Sequence, residues 1–299
     1  MALMIALVGE QPLPNFLLAQ HEHPDALLLV YTSTTEPVYN KLKATLKSEA
    51  AIYELLTDPF DVIAIIKALK VKLAEPELAS HQSLVFNLTG GTKAMSLAAY
   101  HVAQQYNASI VYMESEGKHN QIFRYEWKQQ QLQKPTSEIL PECIQLKDFF
   151  NMYLGIGARN WGVYGPSAEI GGPLEKAVGD ALHTHGYEVM MGVRTMNRQI
   201  DIDVAVRSRN QFGIIEAKVG DDGRKLKGIQ QLSTAKRHLG TFTQQFYVIT
   251  VTSTPDHKEI VDAANIKVIT LLEYIRGAAS LSPSDTKELI KQVDEVFKE

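Results

Sequence analysis

The sequence predicts an α/β protein built from two domains. Its 299 residues exceed the length of one typical domain and suffice for two buried cores. Over residues 1–127, short apolar runs alternate with helical patterns, which indicates a parallel sheet with crossover helices. From about residue 166 the order changes to helix, strands, helix, strand and helix, which indicates a second α/β architecture.

The elements of the first domain follow from its hydrophobic pattern. We predict strands at residues 3–8, 26–31, 51–56, 83–88, 109–113 and 121–127. We predict helices near residues 36–48, 60–74 and 92–106. In a Rossmann-like sheet of this kind, ligands bind beyond the carboxyl ends of the strands, where the connecting loops meet. The candidate loops are residues 8–15, 32–36 and 88–93.

The middle of the chain changes in composition. Residues 128–147 contain a glutamine cluster and two prolines, which favours a linker. We therefore predict a ligand-binding domain at 1–127, a connector at 128–165 and a second domain at 166–299.

Composition and charge narrow the class of protein. The net charge of -4 and the pI near 6.2 lack the basic excess of a constitutive nucleic-acid coat, so any such contact must be local. The single cysteine, Cys143, fits a reducing compartment. The first residues have no basic n-region and no run reaches membrane-spanning length, so we expect a cytoplasmic protein without membrane contact.

The first candidate site lies in the stretch FNLTGGTKAM, residues 86–95, where a predicted strand ends and a helix begins. It lacks the G-x-x-x-x-G-K-[ST] spacing of a P-loop, because Lys93 follows Thr92 and not a glycine. The backbone N–H groups of Gly90 and Gly91, with the Lys93 ammonium, predict an anion site, to which the Thr92 hydroxyl adds a donor. A plain glycine turn with Thr92 as N-cap is the alternative.

The second candidate site lies in QIDIDVAVRSRNQFGIIEAKVG, residues 199–220. Alternation places four charged side chains on one face of two consecutive strands: Asp201, Asp203, Glu216 and Lys218. If residues 209–210 form a two-residue hairpin loop, the register sets Asp203 opposite Glu216, and Asp201 opposite Lys218.

Two carboxylates side by side repel each other unless a cation lies between them. Asp203 and Glu216 offer hard oxygen ligands, which suit Mg²⁺ or Mn²⁺ acting at a phosphodiester. Lys218 on the same face is then placed to hold the attacking water or stabilise the phosphate. A solvated strand pair with alternating charges is the alternative, and the apolar GII segment before EAK argues against it.

An acid on a helix, then an Asp, then Glu-x-Lys on the next strand resembles the PD-(D/E)XK restriction-endonuclease core. The helix is predicted over residues 171–189, with Glu175 at the edge of its apolar stripe. The resemblance implies a metal-ligand set of Asp203, Glu216 and Glu175, and a catalytic set formed by these three acids and Lys218.

Two further residues of this core have less certain roles. Asp201 stands where many members of the PD-(D/E)XK family carry another acid. Residues 228–241 resemble the helix that follows the family core, which makes Gln231 a weaker nucleic-acid-binding candidate.

The Rossmann-like domain with NLTGGTKAM, fused to such a core, resembles the CRISPR-associated Rossmann fold (CARF) effectors, specifically the CRISPR ancillary nucleases with a restriction-endonuclease-like domain. The resemblance covers nearly the whole chain and is strongest at residues 87–95 and 199–218. It implies that a cyclic oligoadenylate from a type III CRISPR complex binds the first domain and switches on the nuclease. Cyclic tetra-adenylate is the expected activator.

A ring with an even number of units has two-fold symmetry, so one ring fits a homodimer that presents one copy of the 88–93 loop to each half. The activator-binding residues expected from the three loops are Gly9, Glu10, Thr32, Ser33, Thr34, Asn87, Thr89, Gly90, Gly91, Thr92 and Lys93.

The substrate is expected to meet a local basic excess. Residues 190–240 hold ten Lys and Arg against five Asp and Glu in a chain that is net negative. Within the segment GRKLKG, residues 223–228, we expect Arg224, Lys225 and Lys227 to contact the phosphate backbone. A solvated charged face is the alternative.

Two classes of function remain from the sequence. The favoured one is a metal-dependent nuclease that cleaves DNA, RNA or both when a cyclic oligoadenylate binds. The other is a sensor whose second domain binds nucleic acid or a partner without cleavage, as a transcriptional regulator does.

Overall fold

The computed structural model describes residues 1–46, 50–116, 119–253 and 255–297. The chain divides into two units, Met1–Ile144 and Gln145–Glu299. No helix within the described ranges is long and apolar enough to cross a membrane.

The first unit is built around a parallel sheet. Its elements are β1 (Ala2–Leu7), α1 (Leu13–Glu22), β2 (Ala26–Tyr31), α2 (Glu36–Thr45), β3 (Ala51–Leu56), α3 (Val62–Leu73), α4 (Pro76–Ala79), β4 (Ser83–Asn87), α5 (Lys93–Gln105), β5 (Ser109–Glu116), β6 (His119–Tyr125), β7 (Trp127–Lys128), β8 (Gln131–Leu132) and β9 (Thr136–Ile139). The strand order within the described residues is β3-β2-β1-β4-β5-β6-β9, with β1 to β5 parallel and β6 and β9 antiparallel. The order reverses between β1 and β4, so the loops after these strands meet at the switch point of the sheet.

Burial explains why the strands of this unit are continuously apolar. Leu3, Ile5 and Leu28 pack with residues of α3 and α5, such as Leu69 and Val102, in one hydrophobic cluster. The central strands β1 and β2 are buried almost throughout, as expected for parallel strands covered on both faces.

Helix α1 was not predicted, and its first three residues, 13–15, fall within the predicted loop at residues 8–15. The prolines at positions 12 and 14 favour a loop in a pattern analysis, yet proline is tolerated in the first turn of a helix. Helix α2 begins as predicted, but residues 47 and 48 of the predicted helix 36–48 lie outside the described residues.

The segment predicted as a connector, residues 128–165, contains regular structure. Strand β9 pairs with β6 at the edge of the first sheet, and β7 and β8 form a short hairpin. All four residues of β9 are exposed, so this strand is held by backbone hydrogen bonds. It has no alternating apolar pattern from which the sequence could have predicted it. The unit boundary therefore falls between residues 144 and 145.

The second unit is a mixed sheet with helices on its faces. Its elements are α6 (Leu146–Leu154), β10 (Trp161–Val163), α7 (Gly172–Thr184), β11 (Glu188–Thr195), β12 (Asp201–Ser208), β13 (Gln211–Lys218), a 3₁₀ turn (Gly220–Arg224), α8 (Leu226–Leu239), β14 (Gln244–Ile249), α9 (Pro255–Ala263), β15 (Lys267–Thr270) and α10 (Pro283–Phe297). The described strands follow the order β10-β11-β12-β13-β14-β15, antiparallel as far as β13 and parallel beyond it.

Helices α7 and α10 cover the sheet with a cluster that includes Leu174, Val178 and Val293. Helix α6 also packs onto this unit, because the ring of Phe149 stacks on that of Phe212 with centroids 3.9 Å apart. The sheet is thus covered by helices that come from well-separated parts of the sequence.

The predicted helix over residues 171–189 is too long. Helix α7 ends at Thr184, because Gly186 adopts a positive φ of 101° and its N–H donates to the carbonyl of His183. Strand β11 then begins at Glu188. This strand pairs with β12, so the correction brings a new strand beside the candidate site.

Candidate functional site

The β12–β13 hairpin has the predicted register. Ser208 pairs with Gln211 and the ladder continues to Val204 opposite Ile215, so the next pair along is Asp203 and Glu216. The Asp203 carboxylate accepts a hydrogen bond from the backbone N–H of Ala217 at 2.8 Å. The hairpin therefore holds two acidic side chains next to each other.

Lys218 lies between these two carboxylates. Its Nζ is 3.6 Å from Asp203 Oδ2 and forms an ion pair with Glu216 Oε1. Glu216 is only 1% exposed, and its Oε1 accepts no well-formed hydrogen bond within the described residues. One ammonium thus faces two carboxyl groups.

Glu175 joins the site from the first turn of α7. It is 4% exposed, and its Oε2 accepts a hydrogen bond from the N–H of Ser167 at 2.8 Å. The chain turns tightly here, because a Cβ at Gly172 would overlap the carbonyl oxygen of Ser167. The loop before α7 therefore fixes Glu175 on the side of Asp203 and Lys218, whose charges act on it.

Burial and repulsion raise the pKa of all three carboxyl groups. Burial raises the pKa of Glu216 to about 8, and the neighbouring Asp203 adds to the shift. Burial raises the pKa of Asp203, and Lys218 only partly offsets it. For Glu175, burial and then Asp203 raise the pKa. Burial alone would lower the pKa of Lys218, but its two carboxylate partners outweigh burial and raise it, so this side chain is charged at neutral pH.

A cleft of ≈ 950 Å³ opens onto this cluster. Its lining contains the predicted residues Glu175, Asp203, Lys218, Lys225, Lys227 and Gln231. It also contains Arg194 and Arg276, which the sequence did not indicate as site residues.

The predicted pair of Asp201 and Lys218 is replaced by another contact. Asp201 accepts a hydrogen bond at 2.7 Å from Nε of Arg194, its partner on β11. Predicting this pair from the sequence would have required strand β11. The helix predicted over residues 171–189 covered the first two residues of that strand.

The basic segment at residues 223–228 is partly neutralised by its own neighbours. Arg224 forms a 2.7 Å ion pair with Asp221 and donates to the carbonyl of Thr252, and it does not line the cleft. Lys225 lines the cleft but forms an ion pair with Asp222. Lys227 is exposed at the cleft.

The predicted metal-ligand set of Glu175, Asp203 and Glu216 is not assembled for coordination. Within the described parts of the chain, no group of three or more His, Cys, Asp or Glu side chains is arranged to hold a metal ion. Asp203 and Glu216 nevertheless suit a hard divalent cation, because the partly buried Asp203 and the buried Glu216 both offer carboxylate oxygens.

The loops of the first unit meet at the β1–β4 switch point. A Cβ at Gly90 would overlap the carbonyl oxygen of Leu7, and a Cβ at Gly9 would lie 3.0 Å from Gly91 N. Gly91 has a positive φ of 76°. Glycine at these positions therefore lets the two loops approach each other closely.

Helix α5 begins at this junction. Thr92 is its N-cap: its Oγ1 accepts from the N–H of Met95 at 3.1 Å and donates to the carbonyl of Pro59 at 2.6 Å. The predicted cap is thus present, and the hydroxyl already has two partners. Lys93 is exposed, and within the described residues the N–H groups of Gly90 and Gly91 donate no hydrogen bond inside the protein. These donors remain available to an anion.

The other predicted activator-binding residues fall into two groups. Asn87 and Thr32 are buried: the Asn87 side chain bonds Asn15 at 2.8 Å, and Thr32 N donates to Thr35 Oγ1 at 3.0 Å. Thr89 Oγ1 accepts a hydrogen bond from the N–H of Met113. Glu10, Ser33 and Thr34 are exposed.

A match to a known family covers the first unit. Residues 3–148, just under half of the chain, match the family model of the Card1 CARF domain. The match covers almost the whole first unit, so this unit is similar to the Card1 CARF domain. No curated protein matches the chain significantly.

Solved structures resemble the fold over almost the whole chain. Can2 from Sulfobacillus thermosulfidooxidans, solved with cyclic tetra-adenylate, has a TM-score of 0.75 and 14% identity, with 99% of each chain covered. Protein VC1899 from Vibrio cholerae has a TM-score of 0.72 and 14% identity over 99% of this chain and 98% of its own. A type III CRISPR defence DNA nuclease activated by cyclic oligoadenylate has a TM-score of 0.69 and 17% identity over 97% of this chain and 51% of its own, so this chain spans about half of that nuclease. At these identities the likeness establishes a common fold.

The buried carboxylates predict a pH-dependent loss of stability in the metal-free protein. The raised pKa of Glu216 means that folding favours its protonated form, so stability is lost as pH rises from about 4.5 through about 8. Above that range, Glu216→Gln should raise the free energy of unfolding by about 1–3 kcal/mol, and the gain should shrink as pH falls. Urea unfolding across pH in the presence of EDTA measures this difference.

The exposed Glu259 on α9 provides the matched control, because Glu259→Gln should leave the pH profile unchanged. A Glu216→Gln protein that is less stable than wild type at every pH would contradict the electrostatic interpretation.

Proposed function

We propose that this protein is a metal-dependent nuclease that is switched on when a cyclic oligoadenylate binds to its first unit. The observation that carries the proposal is the cluster of Asp203, Glu216 and Lys218. Asp203 and Lys218 line the cleft together with Glu175, and Glu216 lies buried beside them. Burying acids in an apolar sheet is unfavourable without a cation. A surface strand pair would leave them in water.

The substrate class in this proposal is DNA, RNA or both, and the setting is type III CRISPR defence. Fold likeness to a cyclic-oligoadenylate-activated DNA nuclease supports the reaction. Basic residues at the mouth of the cleft, Lys227 and Arg276, provide positive charge for a polyanion.

Asp203 and Glu216 would hold a Mg²⁺ or Mn²⁺ ion, with Glu175 as the further acid of the proposed set. When bound, such an ion activates water and neutralises charge on the phosphodiester. Lys218 remains protonated at neutral pH, because its carboxylate partners raise its pKa. It therefore serves to stabilise negative charge on the phosphate and not to accept a proton.

The first unit supplies the activator site in this proposal, with cyclic tetra-adenylate as ligand. Its CARF match and its likeness to Can2, solved with this molecule, support the assignment. The N–H groups of Gly90 and Gly91 have no partner in the described part of the chain, and together with the Lys93 ammonium they would bind phosphate at the start of α5. Of the predicted set, Asn87 and Thr32 are buried. They would therefore stabilise the conformation of the loops and would not contact the activator.

A sensor without nuclease activity is the second candidate. It is favoured by one finding: no metal-binding group of three or more acidic, His or Cys side chains exists among the described residues, and Lys218 already offsets part of the negative charge. Thermal unfolding with Mn²⁺ separates the two candidates. A nuclease should gain stability from the ion through Asp203 and lose that gain in Asp203→Asn, whereas a pure sensor should gain none.

The proposed function as a whole is tested by incubating the purified protein with labelled DNA and RNA, Mg²⁺ or Mn²⁺, and each cyclic oligoadenylate in turn. Cleavage that requires both the metal and one particular ring supports the proposal. Activator binding without cleavage of any substrate supports the sensor.

Removing the charged cluster should separate cleavage from activator binding. Glu216→Gln should abolish cleavage, and Lys218→Ala should slow it by about 10²–10³-fold, because stabilisation of the phosphate charge is lost. Activator affinity should stay near that of wild type in both variants. Cleavage assays and calorimetric titration with cyclic tetra-adenylate measure the two quantities. Lys267→Ala, which removes a partly exposed lysine paired with Glu295, is the control. Wild-type cleavage by either variant would refute the assignment.

The role of the first unit is tested at Lys93. Lys93→Ala should move the activation curve to higher activator concentration and leave the maximal cleavage rate largely intact, because the cluster in the second unit is unchanged. Cleavage rate measured against cyclic tetra-adenylate concentration gives both values. Identical curves for the two proteins, or full activity without activator, would mean that the loop is only a turn and a helix cap.

The two-fold symmetry of the expected activator predicts a homodimer that binds one ring. Light scattering should give a mass near twice the 33.3 kDa of one chain. Calorimetric titration should give one ring for two chains. A monomer at concentrations where the activator binds would exclude this arrangement.

A further inference from the structure

Arg194 occupies a fixed position at the cleft of the second unit. It lies on β11 opposite Asp201 of β12, and its Nε donates to Asp201 Oδ1 at 2.7 Å. The side chain is 33% exposed and lines the cleft that also contains Asp203 and Glu175. Both of these acids act electrostatically on the guanidinium, so Arg194 is near the proposed reaction site.

Tyr164 supports the same side chain from another direction. The guanidinium carbon of Arg194 lies 5.9 Å from the centre of the Tyr164 ring. The ring lies beside Gly162, the residue that pairs with Arg194 across β10 and β11, and a Cβ there would approach the ring to 3.2 Å. The hydroxyl of Tyr164 contacts the sulfur of Met196 at 3.4 Å. Arg194 is therefore held by an acid and by an aromatic ring.

Two other cations of the cleft have acidic partners. Lys218 faces Asp203 and Glu216, and Lys225 faces Asp222. Arg194 uses Nε for Asp201, and throughout the described ranges its Nη groups donate no hydrogen bond. An arginine fixed at Nε and open at Nη presents donors suited to a phosphate oxygen.

We propose that Arg194 binds a phosphate group of the nucleic-acid strand in the cleft, and that Asp201 is a positioning residue that orients Arg194 and does not bind metal. This inference rests on the proposed nuclease function and adds to it the residue that places the strand. It gives Asp201 a role that the sequence left open. Asp201 fixes the guanidinium, and the guanidinium fixes the phosphate relative to Asp203 and Lys218.

The test is equilibrium binding of the whole protein to labelled single-stranded DNA and RNA oligonucleotides, with EDTA and cyclic tetra-adenylate, over a series of salt concentrations. Arg194→Met should weaken binding by about tenfold. It should also reduce the slope of log K against log salt by about 0.7, the value for one phosphate contact on a single strand. Arg194→Lys should keep the slope but bind more weakly than wild type, because the forked donors are lost.

Arg237→Met is the matched control, because Arg237 is an exposed arginine of α8 that does not line the cleft. It should change affinity and slope much less than Arg194→Met does. Equal effects at positions 194 and 237 would overturn the inference, and so would a wild-type slope in Arg194→Met. A wild-type protein that binds no nucleic acid would remove the proposed substrate as well, so the two failures are distinguishable.

The role of Asp201 is tested by a double-mutant cycle. Asp201→Asn should weaken nucleic-acid binding in the wild-type background and have little further effect in the Arg194→Met background. It should leave the stabilisation by Mn²⁺ unchanged. Loss of that stabilisation, or a full additional effect in the double variant, would show that Asp201 acts independently of Arg194 and would overturn its positioning role.

Discussion

The second unit depends on the forced proximity of two acids, Asp203 and Glu216. The hairpin register places them side by side. They lie in an apolar sheet, where little water is present to screen their charges. Lys218 offsets only part of the repulsion, so the acids keep raised pKa values. Two backbone N–H groups stabilise acids of this site: that of Ala217 donates to Asp203, and that of Ser167 donates to Glu175.

The candidate site of the first unit has the opposite electrostatic character. At the β1–β4 switch point the loops pack closely, and the N–H groups of Gly90 and Gly91 at the start of a helix have no partner among the described residues. In the proposed function, a phosphate group would bind at the first site and a cation at the second.

Local patterns predicted much of this arrangement, and long-range contacts account for what they missed. Alternation and a two-residue loop were enough to place Asp203 opposite Glu216. The Arg194–Asp201 pair depends on strand β11, whose start was predicted as part of a helix. Gly186 marks the point after which that helix cannot continue. Strand β9 could not be found from hydrophobicity, because all its residues are exposed and its stabilisation comes from backbone pairing.

The stacking of Phe149 on Phe212 has a practical meaning for isolating the second unit as a fragment. Helix α6 begins at Leu146, well before residue 166, where the sequence pattern alone would start this unit. A fragment cut at 166 would lack α6 and β10 and would expose Phe212, which is 3% exposed in the whole chain. Autonomous folding of this unit therefore requires the chain from Gln145 onward, and a shorter fragment would carry an aggregation-prone apolar face.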